Sequence, residues 1–199
     1  MATDIRALME NIQARYDFRD KSVIHVGAGG GQLVGYAVEA RSVLAVDRDA
    51  DAVRRLGVVL RERDLLKRFI VFRGDLATVR ARADVVFFDF CLHEMADPDA
   101  ALRHARTLAP ELLVVDHALD SKWAWYCGEE AQLERGWAAV RPLGLSRDET
   151  AMGAQQFRDF DELATVVAAL GQPTLSRIEE LRGRQGIAIP MPYRIVLLR

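Results

Sequence analysis

Apolar residues recur along the chain with two spacings. Short continuous runs occur in "SVIHV" (22–26), "SVLAVD" (42–47), "FIVFRGD" (69–75), "DVVFFDF" (84–90) and "LLVVDH" (112–117), and they have the length and β-branched content of strands buried on both faces. Between them the spacing becomes helical. Ala52, Val53, Leu56, Val59 and Leu60 mark one helical face, and Ala101, Leu102, Ala105 and Leu108 mark another, opened by Asp97 as N-cap and Pro98 at the first helical position. Ahead of the first strand, Ile5, Leu8, Met9, Ile12 and Tyr16 predict an amphipathic helix over 3–17, which makes residues 1–20 an N-terminal helical segment. Strands that alternate with helices imply an α/β fold, doubly wound around a mostly parallel sheet.

The pattern changes towards the C-terminus. "DFDELATVVAAL" predicts a helix capped by Asp159 and Glu162 and ended by Gly171. Beyond it, "LSRIEEL" (175–181) and "YRIVLLR" (193–199) have only "RGRQGIAIPMP" between them, so they are expected to pair as an antiparallel hairpin that closes the sheet. No linker rich in Gly, Ser or Pro divides the chain, and residues 1–199 read as a single domain. The segment 118–158 is longer than a connection requires and carries "SKWAWYCGEEAQLERGWAAV". Within it Leu133, Trp137 and Val140 have the helical spacing of core residues, whereas Trp123, Trp125 and Tyr126 stand beside the end of the fifth strand, where ring faces can line a pocket. The segment is therefore expected to be an insert that caps a substrate.

Composition narrows the partners more than the fold. Half of the chain is apolar, the formal charge is -2, and no block of like charges appears, which argues against a nucleic-acid face and a membrane-surface patch. The N-terminal "MATDIRALMENIQARYDF" is too interrupted by charge for a signal peptide, and no run has the length of a membrane span, so a cytoplasmic protein is expected. Cys91 and Cys127 have neither a disulfide framework nor a metal-ligand spacing.

The candidate chemistry begins at "VIHVGAGGGQL" (23–33). Gly27, Gly29 and Gly31 follow a strand and precede an expected helix with Leu33, Val34, Ala37 and Val38, so the backbone can turn sharply and let a ligand lie against it. Asp47 ends the next strand, where a carboxylate can accept hydrogen bonds from both hydroxyls of a ribose. Loop and acid together suggest an adenosine-containing cofactor. The dinucleotide fingerprint needs glycine at its sixth position, but Gln32 stands there and the pattern is G-x-G-x-G.

In that loop, in the acid after strand two, in Gly74–Asp75 after strand three, in "DVVFFDF" and in the reversed last strand, the chain resembles class I S-adenosylmethionine-dependent methyltransferases. The resemblance implies a seven-stranded, mostly parallel Rossmann-like sheet with a C-terminal antiparallel hairpin, and S-adenosylmethionine as cofactor. By position it implies that Gly27, Ala28, Gly29 and Gly31 face the methionine part and that Asp47 binds the ribose. Arg48 would flank the adenine, Asp75 and Leu76 would hold its amino edge and face, and the segment after strand four, Phe90 to His93, would line the boundary between cofactor and substrate, with Phe90 and Leu92 as cofactor contacts. The competing reading of Asp47 and Asp75 is a cap or turn acid, and of Arg48 a solvated charge.

Asp89, His93, Glu94, Asp116, His117 and Asp120 are expected to converge on the same rim. Three readings compete there: a general base for the accepting atom, a metal site, and ordinary caps. No metal-ligand spacing supports the second. His93 is the first candidate for a base and for contact with substrate, and His117 the second, while hydrogen-bonding histidines at strand ends remain the alternative for both. The function expected is methyl transfer to a small molecule, with a nicotinamide-binding oxidoreductase domain or a non-catalytic cofactor-binding module as alternatives. The oligomeric state stays open. His25 departs from the family pattern, which usually has an acid there. A charged imidazole would oppose the sulfonium and the ammonium of the cofactor, so a neutral His25 that makes one hydrogen bond in an apolar strand is expected.

Overall fold

A computed structural model describes residues 2–199. Its strands are β1 (Ala2–Thr3), β2 (Ser22–Val26), β3 (Ser42–Asp47), β4 (Phe69–Arg73), β5 (Val85–Asp89), β6 (Glu111–His117), β7 (Leu145–Ala151), β8 (Ala154–Asp159), β9 (Gln185–Pro190) and β10 (Tyr193–Leu198). Seven of them form one sheet in the order β4-β3-β2-β5-β6-β10-β7, and β1-β8-β9 form a second. From β4 to β6 the large sheet is parallel, and β10 runs antiparallel to both its neighbours. The chain first builds outward from β2 to β4 and then crosses to β5 on the other side of β2. That reversal leaves a crevice beyond the carboxyl ends of β2 and β5.

The helices are α1 (Ile5–Gln13), α2 (Ala50–Glu62), α3 (Pro98–Leu108), α4 (Lys122–Cys127), α5 (Glu130–Val140), α6 (Phe160–Val167) and α7 (Gln172–Ile178). Side-chain carboxylates start four of them: Asp4, Asp49, Asp97 and Asp159 each accept a backbone N–H from the first turn, which satisfies an otherwise orphaned donor. Leu8 and Ile12 of α1 and Leu56 and Leu60 of α2 pack on one face of the sheet with Val23, Val43 and Phe87. Leu102 of α3 and Leu133 and Trp137 of α5 cover the other face with Ile24, Val86 and Val114. The doubly wound architecture is as the alternating pattern predicts.

Three local expectations are corrected. Residues 175–181 are not a strand: they lie in α7 and the 3-10 turn Glu179–Leu181, and Leu175, Ile178 and Leu181 recur at helical spacing towards a third apolar cluster. The antiparallel partner of β10 on the outer side is β7. After the glycine loop comes only a 3-10 turn, Val34–Val38, with Val34, Tyr36 and Ala37 buried. And residues 118–158 are not one insert, because α5 packs on α3 and β7 belongs to the large sheet. The excursion from that sheet is 152–192 instead. Tyr193 pairs with both His117 and Ala151, so the excursion leaves and returns at the carboxyl rim of β6 and β7. There α6, α7, β8 and β9 enclose their own core of Phe157, Leu163, Ile178 and Ile187.

One helix expected of such a winding is missing. The link from β4 to β5 contains a single 3-10 turn, Leu76–Thr78, and β4 is left exposed at the edge of the sheet.

Candidate functional site

A cleft of about 430 Å³ opens at the carboxyl ends of β2, β3 and β4. Gly27, Asp47, Arg48, Asp75 and Leu76 line it together, with Cys91, Glu94 and Met95 from the segment after β5. Its acids are held in place by backbone. Asp47 accepts the Gly29 N–H on Oδ2 at 2.7 Å and the Asp49 N–H on Oδ1 at 2.9 Å, so one carboxylate clamps the glycine loop to the end of β3. Asp75 accepts the Ala77 N–H at 2.8 Å. Each of these oxygens has a second lone pair, and the two carboxylates remain able to accept from a ligand. The loop needs its glycines: Gly27, Gly29 and Gly31 have φ of 72°, 53° and 86°, in the left-handed region. At Gly27 a Cβ would lie 2.5 Å from that of Cys91, and at Gly31 one would press on Leu56 and Val59 of α2. Beside Gly29, by contrast, a Cβ would meet only ordinary contacts, and neither Gly29 nor Gly31 lines the cleft.

The cleft does not gather every residue expected of it. Ala28 and Leu92 are buried in the two cores, and Phe90, itself at φ 45°, turns its ring onto His117 and Tyr193. Trp123 packs on Phe157. Lys122 Nζ lies 3.6 Å from the ring centroid of Trp125, with Arg177 4.9 Å from it, so the chain's own cations already engage that indole. Tyr126 is buried and donates its hydroxyl to Glu180. These three aromatics belong to the core of the excursion, and none lines the cleft.

The rim histidines do come together. His93 and His117 stack obliquely with ring centroids 5.8 Å apart, both buried. Nδ1–H of His93 donates to Asp116 Oδ1 at 2.6 Å, while Asp116 also accepts the N–H groups of His93 and His117. On the other side of the ring, Nε2 lies 3.8 Å from Glu129 Oε2. Burial opposes the charged form of His93, but Asp116, aided by Glu129 and Glu94, outweighs it and raises the pKa. Burial pushes Glu129 up to about 7 and His117 down to about 4. Glu129 Oε2 and His117 Nδ1 are buried without a hydrogen-bond partner. Asp116 was legible as a rim acid but not as the partner of His93, and Glu129 was hidden in the aromatic segment, where nothing in the spacing marks it.

His25 is fully buried and makes two hydrogen bonds rather than one. Nε2 stands 3.0 Å from Asp89 Oδ2 and Nδ1 3.0 Å from the Tyr36 hydroxyl, and its ring stacks on Phe87. With Nε2–H donating to the carboxylate and Nδ1 accepting the phenol, a neutral imidazole satisfies both partners. Burial raises the pKa of Asp89, and the His25 hydrogen bond works against that rise. The histidine that replaces the usual acid thus ties the turn after the glycine loop to the end of β5.

Solved structures show which architecture this is. The YcgJ protein from Bacillus subtilis superimposes with a TM-score of 0.70 at 13% identity, over 97% of this chain and 96% of that one. Magnesium protoporphyrin IX methyltransferase (ChlM) from Synechocystis, solved with bound S-adenosylmethionine, matches with a TM-score of 0.53 at 15% identity, over 96% and 77%. The chain has the class I methyltransferase fold. A third chain of this methyltransferase architecture, the [4+2]-cyclase SpnF, matches with a TM-score of 0.66 at 18% identity, over 97% and 80%. No protein-family model and no curated protein sequence matches the chain. Among the described residues of this methyltransferase fold no group of His, Cys, Asp and Glu is arranged to hold a metal ion, and no helix is long and apolar enough to cross a membrane.

Proposed function

We propose that the protein is an S-adenosylmethionine-dependent methyltransferase that acts on a small molecule. The observation that carries this reading is the convergence of Gly27, Asp47, Arg48, Asp75 and Leu76 on one cleft at the switch in strand order. The residues fit the cofactor: Gly27 without a side chain in the cleft wall, a carboxylate with free lone pairs for the ribose, and Asp75 with Leu76 for the adenine. When bound, the cofactor supplies a methyl group already activated by a sulfonium. Alignment and exclusion of water can then provide most of the acceleration.

The roles of the rim follow from its charge states. Asp116 outweighs the burial of His93 and favours the charged imidazole, which makes His93 a better donor and a poorer base than a free histidine. His117, with a pKa near 4, is neutral but a weak base. In this reading His93 orients an acceptor that is already nucleophilic, and His117 contributes a neutral nitrogen. A second reading, a non-catalytic cofactor-binding module, is favoured by the burial of His93, Asp116 and His117. Incubation with labelled cofactor and panels of amines, thiols, phenols and carboxylic acids separates the two. Methyl transfer to any of them supports catalysis, and tight cofactor binding without turnover across the panels supports the module.

A further inference from the structure

Strand β4 is one of the two edges of the large sheet, and all of its side chains are exposed except Phe69, which packs partly against the core on the α2 side. Ile70 is 71% exposed and Phe72 37%, on the face where a crossover helix between β4 and β5 is missing. Val71 and Leu66 are exposed too. An uncovered apolar strand of this kind is a template for pairing with another strand.

We propose that the occupant is a second copy of the same chain, paired antiparallel through Phe69–Arg73 about a two-fold axis at Val71. The argument is one of register. A two-fold axis normal to a continuous sheet keeps each face of the strand on the same side, so a residue can stand opposite only one of its own parity. Three central residues then come into question: Ile70, Val71 and Phe72. Centring on Ile70 leaves Arg73 without a mate in the strand, because Lys67 lies in the 3-10 turn Leu66–Arg68. Centring on Phe72 opposes Ile70 to Gly74 and Val71 to Arg73, so the apolar side chains lose their mates. Centring on Val71 pairs all five residues of the strand with one another. Val71 meets Val71, Ile70 meets Phe72 twice, and Phe69 meets Arg73 twice. The uncovered face then becomes a shared cluster of two isoleucines and two phenylalanines.

Long-range charge sets a sign that separates this partner from others. The segment 48–82 carries ten basic and five acidic residues, so two copies repel through it. Added salt screens the repulsion and tightens the pairing, whereas an acidic peptide or a nucleic acid bound at the same edge would be released.

The test is sedimentation velocity on the full chain over a range of concentrations and salt, joined to cysteine cross-linking. A dimer that tightens between low and moderate salt is expected, with Ile70→Lys weakening it at least about tenfold. Directly opposed residues lie about 4.5–5.5 Å apart between Cα atoms, within disulfide reach, whereas diagonal ones lie about 7–8 Å apart. Val71→Cys is therefore expected to form a covalent dimer on mild oxidation. Ile70→Cys is expected to form none by itself, and to cross-link when mixed with Phe72→Cys. A monomer at every concentration would overturn the proposal, as would a dimer unaffected by Ile70→Lys, or cross-linking by Ile70→Cys alone as efficient as by Val71→Cys.

Discussion

The glycine-loop cleft and the histidine rim lie side by side at the carboxyl end of one sheet, yet they are built in opposite ways. In the cleft the acids are at or near the surface and held by backbone N–H groups of their own turns. At the rim the titratable groups are buried and hold one another: Asp116 anchors His93, and Glu129 and His117 keep atoms without partners. The first arrangement leaves capacity for a ligand at little cost to the fold. The second makes the fold itself depend on protonation, because burial acts on charged forms that have few alternatives to each other.

The largest expected effect breaks the rim. Asp116→Ala removes the acceptor for His93 and two backbone donors, and should destabilise the chain by about 3–5 kcal/mol, measured by urea unfolding at neutral pH. Next comes acid sensitivity. His117 has an ordinary pKa of 6.5 and a folded value of about 4, so the folded state binds fewer protons between them. Its contribution is complete above pH 6.5 and is lost as pH falls to about 4, a loss of about 3 kcal/mol. His117→Phe should flatten that part of the stability profile, and an unchanged slope would place the buried neutral histidine in error.

Asp47→Ala probes the cleft. It deletes a clamp on the glycine loop and an acceptor for the cofactor, and should weaken cofactor binding by roughly thirtyfold while costing less stability than Asp116→Ala. A variant that lost both equally would erase the contrast between the regions. The smallest effect is at Glu129. Its carboxyl rises from 4.5 to about 7, so the folded state gives up stability as pH climbs through that interval and no more above it. Glu129→Gln should therefore leave stability at pH 5 nearly unchanged and raise it by about 2 kcal/mol at pH 8.

The cleft was far more legible in the sequence than the rim, for a physical reason. Gly27, Asp47 and Asp75 are fixed by local backbone demands, a left-handed turn or a strand end, and such demands recur at set spacings. The strands from 22–26 to 112–117 were legible because a strand covered on both faces must be continuously apolar. The Asp116–His93 pair and Glu129 come from different elements, so no spacing announces them. The strand reading of 175–181 failed because a short apolar run with polar intervals fits both periods, and the third core that decides for helix is itself built from distant segments. Trp125 looked free for a ligand only because Lys122 and Arg177 could not be placed beside it beforehand.

The central claim concerns what the cleft holds. Isothermal titration of the purified chain with S-adenosylmethionine, its demethylated product and NAD tests it most directly. The account predicts saturable binding of the first two that Asp47→Ala weakens, and no binding of NAD. Binding of NAD alone would contradict it.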